Sequence, residues 1–495
     1  MHTFRFLFLL FVLFSFASCR TDMDFEPATQ ALRFSSDTVY LDPVFSETQS
    51  SSYLVKIYNT SNKNIKIPQL RLGKGDQSYF NLLVEGVSGK QFSNVELLAK
   101  DSLYVFIHTL GKADPQAKEF IYTDQLRLMG NAQPQSIELV TLIKDAYFLH
   151  PGKADQQVLH DIKIADETTV EGFYIGDTNV HAKNTLHMDN AKPYVVYGYA
   201  IIPENQTLYI AAGTELYFHE NSGIIGLKGS AIQAKGTKEE PIIFRHDRLE
   251  ASYAYTAGQW SGIRLEQPGA STLDHVRIEQ AKIGLYLDQA EDFTLTNAQL
   301  YNHAYTALEA INSTLVGQNI VAATTQNATV VLRNGGNYLF QHCTFSNSGF
   351  RPDQLALRIE NSKDAPFERL LIQNSLLHTA IAQSFAFIGD EAPSQVQFDS
   401  NALKDTSKRK ATAAVYNYDN EQMYLNNIFL DTPTLAAVDF QDPKKNLFYY
   451  SSLMTHLLAK GNRTIAASVP LDLDGKDRRN APDLGAYQHI ETTKE

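Results

Sequence analysis

Residues 262–287 read GIRLEQPGASTLDHVRIEQAKIGLYL, and the tetrad that opens the stretch, Gly262-Ile263-Arg264-Leu265, returns near its end as Gly284-Leu285-Tyr286-Leu287. It returns again as Ala307-Leu308-Glu309-Ala310, Thr329-Val330-Val331-Leu332 and Leu355-Ala356-Leu357-Arg358, so the copies start 22, 23, 22 and 26 residues apart. Self-similarity at a fixed period of this length marks one turn of a parallel β-solenoid. A second apolar run follows most copies: Leu273 to Ile278, Phe293 to Asn297, Tyr338 to His342 and Leu370 to Asn374. One coil cannot bury its own apolar face, but stacked coils share a continuous core. Superposing the second runs aligns His275, Asn297, Gln318, His342, Asn374 and Ser400, one polar residue per coil. Such a row satisfies itself and the turn backbone, and its amides are poor ligands for a transition-metal ladder. The longer gap from Asn361 to Pro366 reads as a loop pushed outward.

Working outward, residues 203–218 (PENQTLYIAAGTELYF), 231–244 (AIQAKGTKEEPIIF) and 258–265 (GQWSGIRL) resemble the opening coils of right-handed β-helix proteins of the pectin-lyase-like class. Residues 471–487 (LDLDGKDRRNAPDLGAY) resemble the closing segment of Bacteroidota β-helix surface lipoproteins. The resemblance implies a right-handed parallel β-helix over 146–495, with an N-terminal cap at 146–200 and a C-terminal cap at about 440–490. It implies far less about function, because many members of that class have no assigned activity.

Residues 34–145 alternate apolar and polar side chains with a period of two, as in Tyr53-Leu54-Val55-Lys56-Ile57-Tyr58 and Leu103-Tyr104-Val105-Phe106-Ile107. That pattern between Asn, Ser, Gly and Lys turns predicts a small antiparallel β-sandwich. It resembles the immunoglobulin-like modules that precede larger domains in surface lipoproteins, and would act as a spacer. The expected fold class is therefore all-β: an Ig-like β-sandwich followed by the right-handed parallel β-helix.

The first 18 residues carry one charge, Arg5, an apolar run from Phe6 to Phe16, and Ala17-Ser18 before Cys19. This is a signal-peptide pattern, too short to span a bilayer stably. Phe16-Ala17-Ser18-Cys19 resembles a bacterial lipobox, which would make Cys19 the acylated first residue and the only membrane attachment. The acidic stretch behind it, with Asp22, Asp24 and Glu26, resembles the export signal of Bacteroidota lipoproteins destined for the outer face of the outer membrane. A solvated acidic tether over 19–33 is the plainer reading of the same residues.

The 495 residues hold 43 Lys and Arg against 55 Asp and Glu, a formal charge of −12. A phosphate backbone would be repelled, so nucleic acid is not an expected partner. Cys343 is the one cysteine besides Cys19, and in Phe340-Gln341-His342-Cys343-Thr344-Phe345 it reads as a small buried filler. The lone Trp260 reads as a structural aromatic packed over the first coils.

No catalytic residue is assigned: there is no nucleophile elbow, metalloprotease motif or phosphate-cradling loop. The weak metal candidate is calcium at Asp472, Asp474 and Asp477, with Asp483, Arg478 and Arg479 beside them. Its spacing lacks the terminal bidentate Glu of a calcium loop, and a salt-bridged turn closing the solenoid end is the simpler account. Asp274, Asp288, Glu279 and Arg264 fall on neighbouring coils and are the only candidates for a sugar cleft. The expected function is thus a non-catalytic binding or scaffold subunit of an outer-membrane protein complex, for uptake or barrel assembly. A polysaccharide-binding or polysaccharide-cleaving β-helix is the first alternative, and an adhesin the second.

Overall fold

The computed structural model describes residues 24–112, 119–130, 134–151, 160–164, 168–178, 182–389, 395–407, 414–432, 437–451, 454 and 456–489. Cys19 and Asp22 lie outside the described residues. The chain divides into two compact units, Met1–Asp145 and Ala146–Glu495.

In the first unit two sheets enclose one apolar core. One sheet orders strands Glu26–Pro27, Ile65–Leu72, Glu119–Met129, Gln135–Lys144 and Thr38–Tyr40, and the other orders Arg33–Phe34, Tyr53–Tyr58, Ser102–Thr109, Phe80–Val84 and Val87–Gly89. Period-two alternation explains the core, since Val55, Ile57, Val105 and Ile107 point inward while Leu54, Tyr104 and Phe106 stay exposed. The anticipated tether does not run to residue 33. Glu26–Pro27 pairs in parallel with Ile65–Lys66, and Ala28 and Leu32 are buried in the core, so apolar burial fixes this segment.

The second unit is a parallel solenoid of about nine turns from residue 172 to 430. Strands Thr169–Tyr174 and His187–Met188 already pair with the coils that follow, so the solenoid begins inside the stretch expected to be only a cap. Each coil supplies three strands where the sequence revealed two. The first sheet stacks Tyr199–Ile202, Gly223–Gly226, Gly262–Glu266 and Ile283–Asp288, and inward residues Ile263, Leu285, Leu308, Val330, Leu357 and Phe385 fall in register. The second stacks Thr207–Ile210, Ala231–Lys235 and Ser271–Asp274 onward, and the third Glu215–Phe218, Ile242–His246 and Val276–Glu279 onward. Repeated apolar residues line one dry core because neighbouring strands lie only about 4.8 Å apart.

Two details of register correct the sequence reading. Val330 pairs with Leu357, not with Ala356, a slip of one residue that would have exchanged inner and outer faces. The polar corner column contains Asn319 in place of Gln318. Its members His275, Asn297, Asn319, His342, Asn374, Ser400 and Asn426 all have φ between 48 and 58°. The chain turns from the second sheet to the third on this single left-handed residue, a conformation that Asn and His tolerate better than most. Gln318 instead faces outward, and its amide donates to Gln341, which donates to Gln373, which donates to Asp399.

The closing segment differs from expectation most. Rather than ending the solenoid, the described residues between 440 and 489 run back along the outer face of the third sheet. Phe448, Tyr450, Leu457, Leu484 and Tyr487 cover Tyr301, Val321, Ala323, Leu376 and Ala402, which would otherwise be an apolar outer face. At the last coils the core is filled by Tyr416 and Tyr424 packed on Phe385 and Phe398. Trp260 is fully buried, stacked on Phe218 at 4.2 Å, and its indole donates to the Glu279 carbonyl at 2.7 Å.

Candidate functional site

A groove of about 680 Å³ lies on the outer face of the second sheet, where the solenoid begins. Its floor is set by parallel register: His187 lies beside Tyr209, and Tyr209 beside Gln233. The rings of His187 and Tyr209 stack at 4.7 Å with 2° between planes, and Tyr209 is 46% exposed. Asp189, Thr207 and Lys235 complete the rim. Further along the same face stand Thr272, Thr294 and Thr296, then the glutamine ladder. An exposed flat ring beside amides, hydroxyls and one ammonium is suited to a ligand with apolar faces and hydroxyl edges.

The four cleft candidates do not come together. Arg264 and Asp288 face outward from the first sheet, Asp274 from the second and Glu279 from the third. Asp274 is committed to its own corner, accepting from Thr296 at 2.7 Å and Asn297 at 2.8 Å. Arg264 pairs with Glu266 at 2.7 Å and lies over the Tyr286 ring at 4.2 Å. Farther along this face Arg333 bridges Glu309 at 3.3 Å and Glu360 at 3.2 Å, while Arg358 meets Glu360 at 2.8 Å. Burial raises the Asp288 and Glu309 carboxyls above their usual range. Closed pairs alternating in sign across a sheet face hold charge in place and are weak evidence of chemistry.

The acidic closing segment is a folded turn. Asp472 accepts the backbone N–H groups of Asp474 (2.9 Å), Lys476 (2.6 Å) and Gln488 (2.7 Å). Asp483 accepts those of Ala459 and His489, and Asp477 pairs with Arg479. Among the described residues no group of three or more His, Cys, Asp or Glu is placed to hold a metal ion. Arg478 is buried and donates to the Gly485 and Ala486 carbonyls. Cys343 is fully buried, and burial pushes its thiol up to about 12, far from a reactive thiolate. Glu26 pairs with Lys63 at 2.7 Å, and Asp24 is exposed.

Sequence reasoning missed the His187–Tyr209 pair because Leu186-His187-Met188 lies before the recognisable repeats. The available signal was the spacing of 22 residues (209 − 187), one coil, between two aromatic residues.

Parallel coils around a single core define the second unit as a right-handed β-helix domain. A protein-family model described as a right handed beta helix region matches residues 261–429. No curated protein matches the chain.

Proposed function

We propose that this protein is a surface binding protein whose β-helix holds an extended polysaccharide along the second sheet. The observation that supports the reading is the solvent-facing stack of Tyr209 on His187 in an open groove that leads onto a face carrying Thr272, Thr294 and the glutamine ladder beside Val316 and Leu339. A lipid at Cys19 would hold the chain on the outer membrane, facing outward, with the immunoglobulin-like unit as spacer. The groove calls for no cofactor and no catalytic residue to do this. The test is affinity electrophoresis of the mature chain through gels containing neutral polysaccharides. Retardation by at least one polymer that is lost in Tyr209→Ala supports the reading. Equal migration of parent and variant in every polymer rules it out.

A second reading has its own observation. Leu54, Phe106 and Leu83 form a row across the open face of the five-stranded sheet, and Leu54, Phe106 and the adjoining Tyr104 are between 38 and 45% exposed. A contiguous apolar patch of this kind is a protein-docking feature. It favours membership in an outer-membrane complex, and co-purification of a barrel protein in near-equal amount, lost in Phe106→Ser, is the result that would support it.

A further inference from the structure

Arginine recurs on these coils two residues before an acid, and at three places the pair closes. Arg264–Glu266, Arg358–Glu360 and Arg248–Glu250 meet at 2.7, 2.8 and 3.1 Å. On the third sheet the same pattern gives only long ion pairs. Asp247, two residues after Arg245, is taken by His219 Nδ1 at 2.8 Å, and Glu279, two residues after Arg277, stands 4.0 Å from it. Arg245 reaches the same Glu279 only at 3.9 Å. Arg245 and Glu279 each follow the last register pair of their adjacent strands, Phe244 and Ile278, so two guanidinium groups flank one carboxyl.

Neither fork is floppy. Arg277 Nε donates to Gln299 Oε1 at 2.9 Å, and Gln299 Nε2 donates to the Tyr487 hydroxyl at 2.9 Å, which ties the fork to the returning C-terminal segment. Arg245 Nε is shut off from water and makes no hydrogen bond. Glu279 is 8% exposed, and desolvation raises its carboxyl while the charges of Arg245 and Arg277 act to lower it. Among the described residues neither guanidinium hydrogen-bonds a carboxylate. The segment covers Tyr301, the register partner of Glu279, and reaches Gln299, the register partner of Arg277, so both arginines stand at the edge of the covered stretch.

We propose that Arg245 and Arg277 form a binding site for a tetrahedral oxyanion, a sulfate or phosphate monoester. Two forks set on opposite sides of one carboxyl address different oxygens, and a monoester offers three terminal oxygens where a carboxylate offers two. The chain's net negative charge would repel an anion elsewhere, so the local cations confer selectivity. The site lies on a different sheet from the polysaccharide groove and stands or falls separately from it.

The experiment is calorimetric titration of the full mature chain, at low salt, with glucose 6-sulfate, glucose 6-phosphate, inorganic phosphate and glucose. Either monoester should bind at least about tenfold tighter than glucose, and the Arg245→Gln, Arg277→Gln double variant should lose that preference. Glu279→Gln, which keeps the shape and removes the competing charge, should bind as well or better. Preference for the sulfate, the phosphate ester or free phosphate tells the sources apart. The proposal is overturned if neither monoester is preferred to glucose, or if the double variant, with an unchanged circular dichroism spectrum and Tyr209-dependent glycan binding, keeps the preference.

Discussion

Arg478 Nη2 donates a 3.0 Å hydrogen bond to Asn319 Oδ1, joining a residue near the chain's end to the left-handed corner of a middle coil 159 positions earlier. Asn319 answers with its own amide, donating to the Leu471 carbonyl at 3.0 Å and to Asn297 Oδ1 at 2.9 Å. Two coils further along, Asn374 exchanges two hydrogen bonds with the backbone of Asn462. The corner column is thus the seam to which the closing segment is sewn.

Arg478→Met keeps most of the buried volume and removes the donors, leaving two carbonyls and the Asn319 amide without their partner. The expected cost is about 3 kcal/mol, and it should be local. Limited proteolysis should cut the variant within 440–489 while the coils stay resistant, and equal resistance of that segment in variant and parent would refute the latch.

Asn319 serves both as a left-handed residue, at φ 53°, and as a hydrogen-bonding partner. Asn319→Gly keeps the backbone freedom and loses the side chain, whereas Asn319→Ala loses both. Urea unfolding should rank the parent above the Gly variant and the Gly variant above the Ala variant, with the last step about 1 kcal/mol. Gln318→Ala, on the outer face, should cost less than either.

Gly336 sits at a bulge, at φ 101°, where an added Cβ would lie 2.4 Å from the Ser313 carbonyl oxygen. The Gly336→Ala variant should lose about 2–3 kcal/mol. Neighbouring Asn334, exposed, should tolerate alanine far better, and similar losses at both positions would show that close backbone approach is not the cause.

Burial draws the His246 imidazole down to about 4 and His303 to about 3, and burial with the nearby Arg478 draws His342 well below its usual range. All three are neutral in the fold, while the unfolded chain takes up protons below about pH 6.5. Stability is therefore full above that pH and falls as the pH drops from 6.5 toward 4, at up to about 1.4 kcal/mol per unit for each histidine. Buried carboxyls such as Glu279 and Glu309 shift upward and oppose this loss at the acid end. Denaturation series across that window should show the slope, and His303→Asn should reduce it by about a third.

How much was legible depended on whether a feature was written locally. The tetrads from Gly262 to Leu332 announced the coil because inward residues recur in every turn. The third strand escaped notice because the second and third run on almost without a break: in Leu273-Asp274-His275-Val276-Arg277-Ile278 only His275, with φ 48°, divides them. Choosing Gln318 over Asn319 followed from matching polarity, whereas the corner is decided by backbone conformation. The path of the closing segment was not legible, since its partners Tyr301, Val321 and Leu376 look like any outward strand residue until another element covers them. The site candidates scattered because closeness along three adjacent strands becomes separation once each strand faces a different way.

That residues 471–487 rest on coils in the middle of the solenoid has an implication for time as well as space. The docking positions at Asn319, His342 and Asn374 exist only after several turns have stacked. A chain emerging amino end first must hold its middle coils unfinished, with Tyr301 and Leu376 open to water, until residue 487 arrives. Completion is then a single late event, and any truncation that removes the tail leaves an early part of the protein undressed.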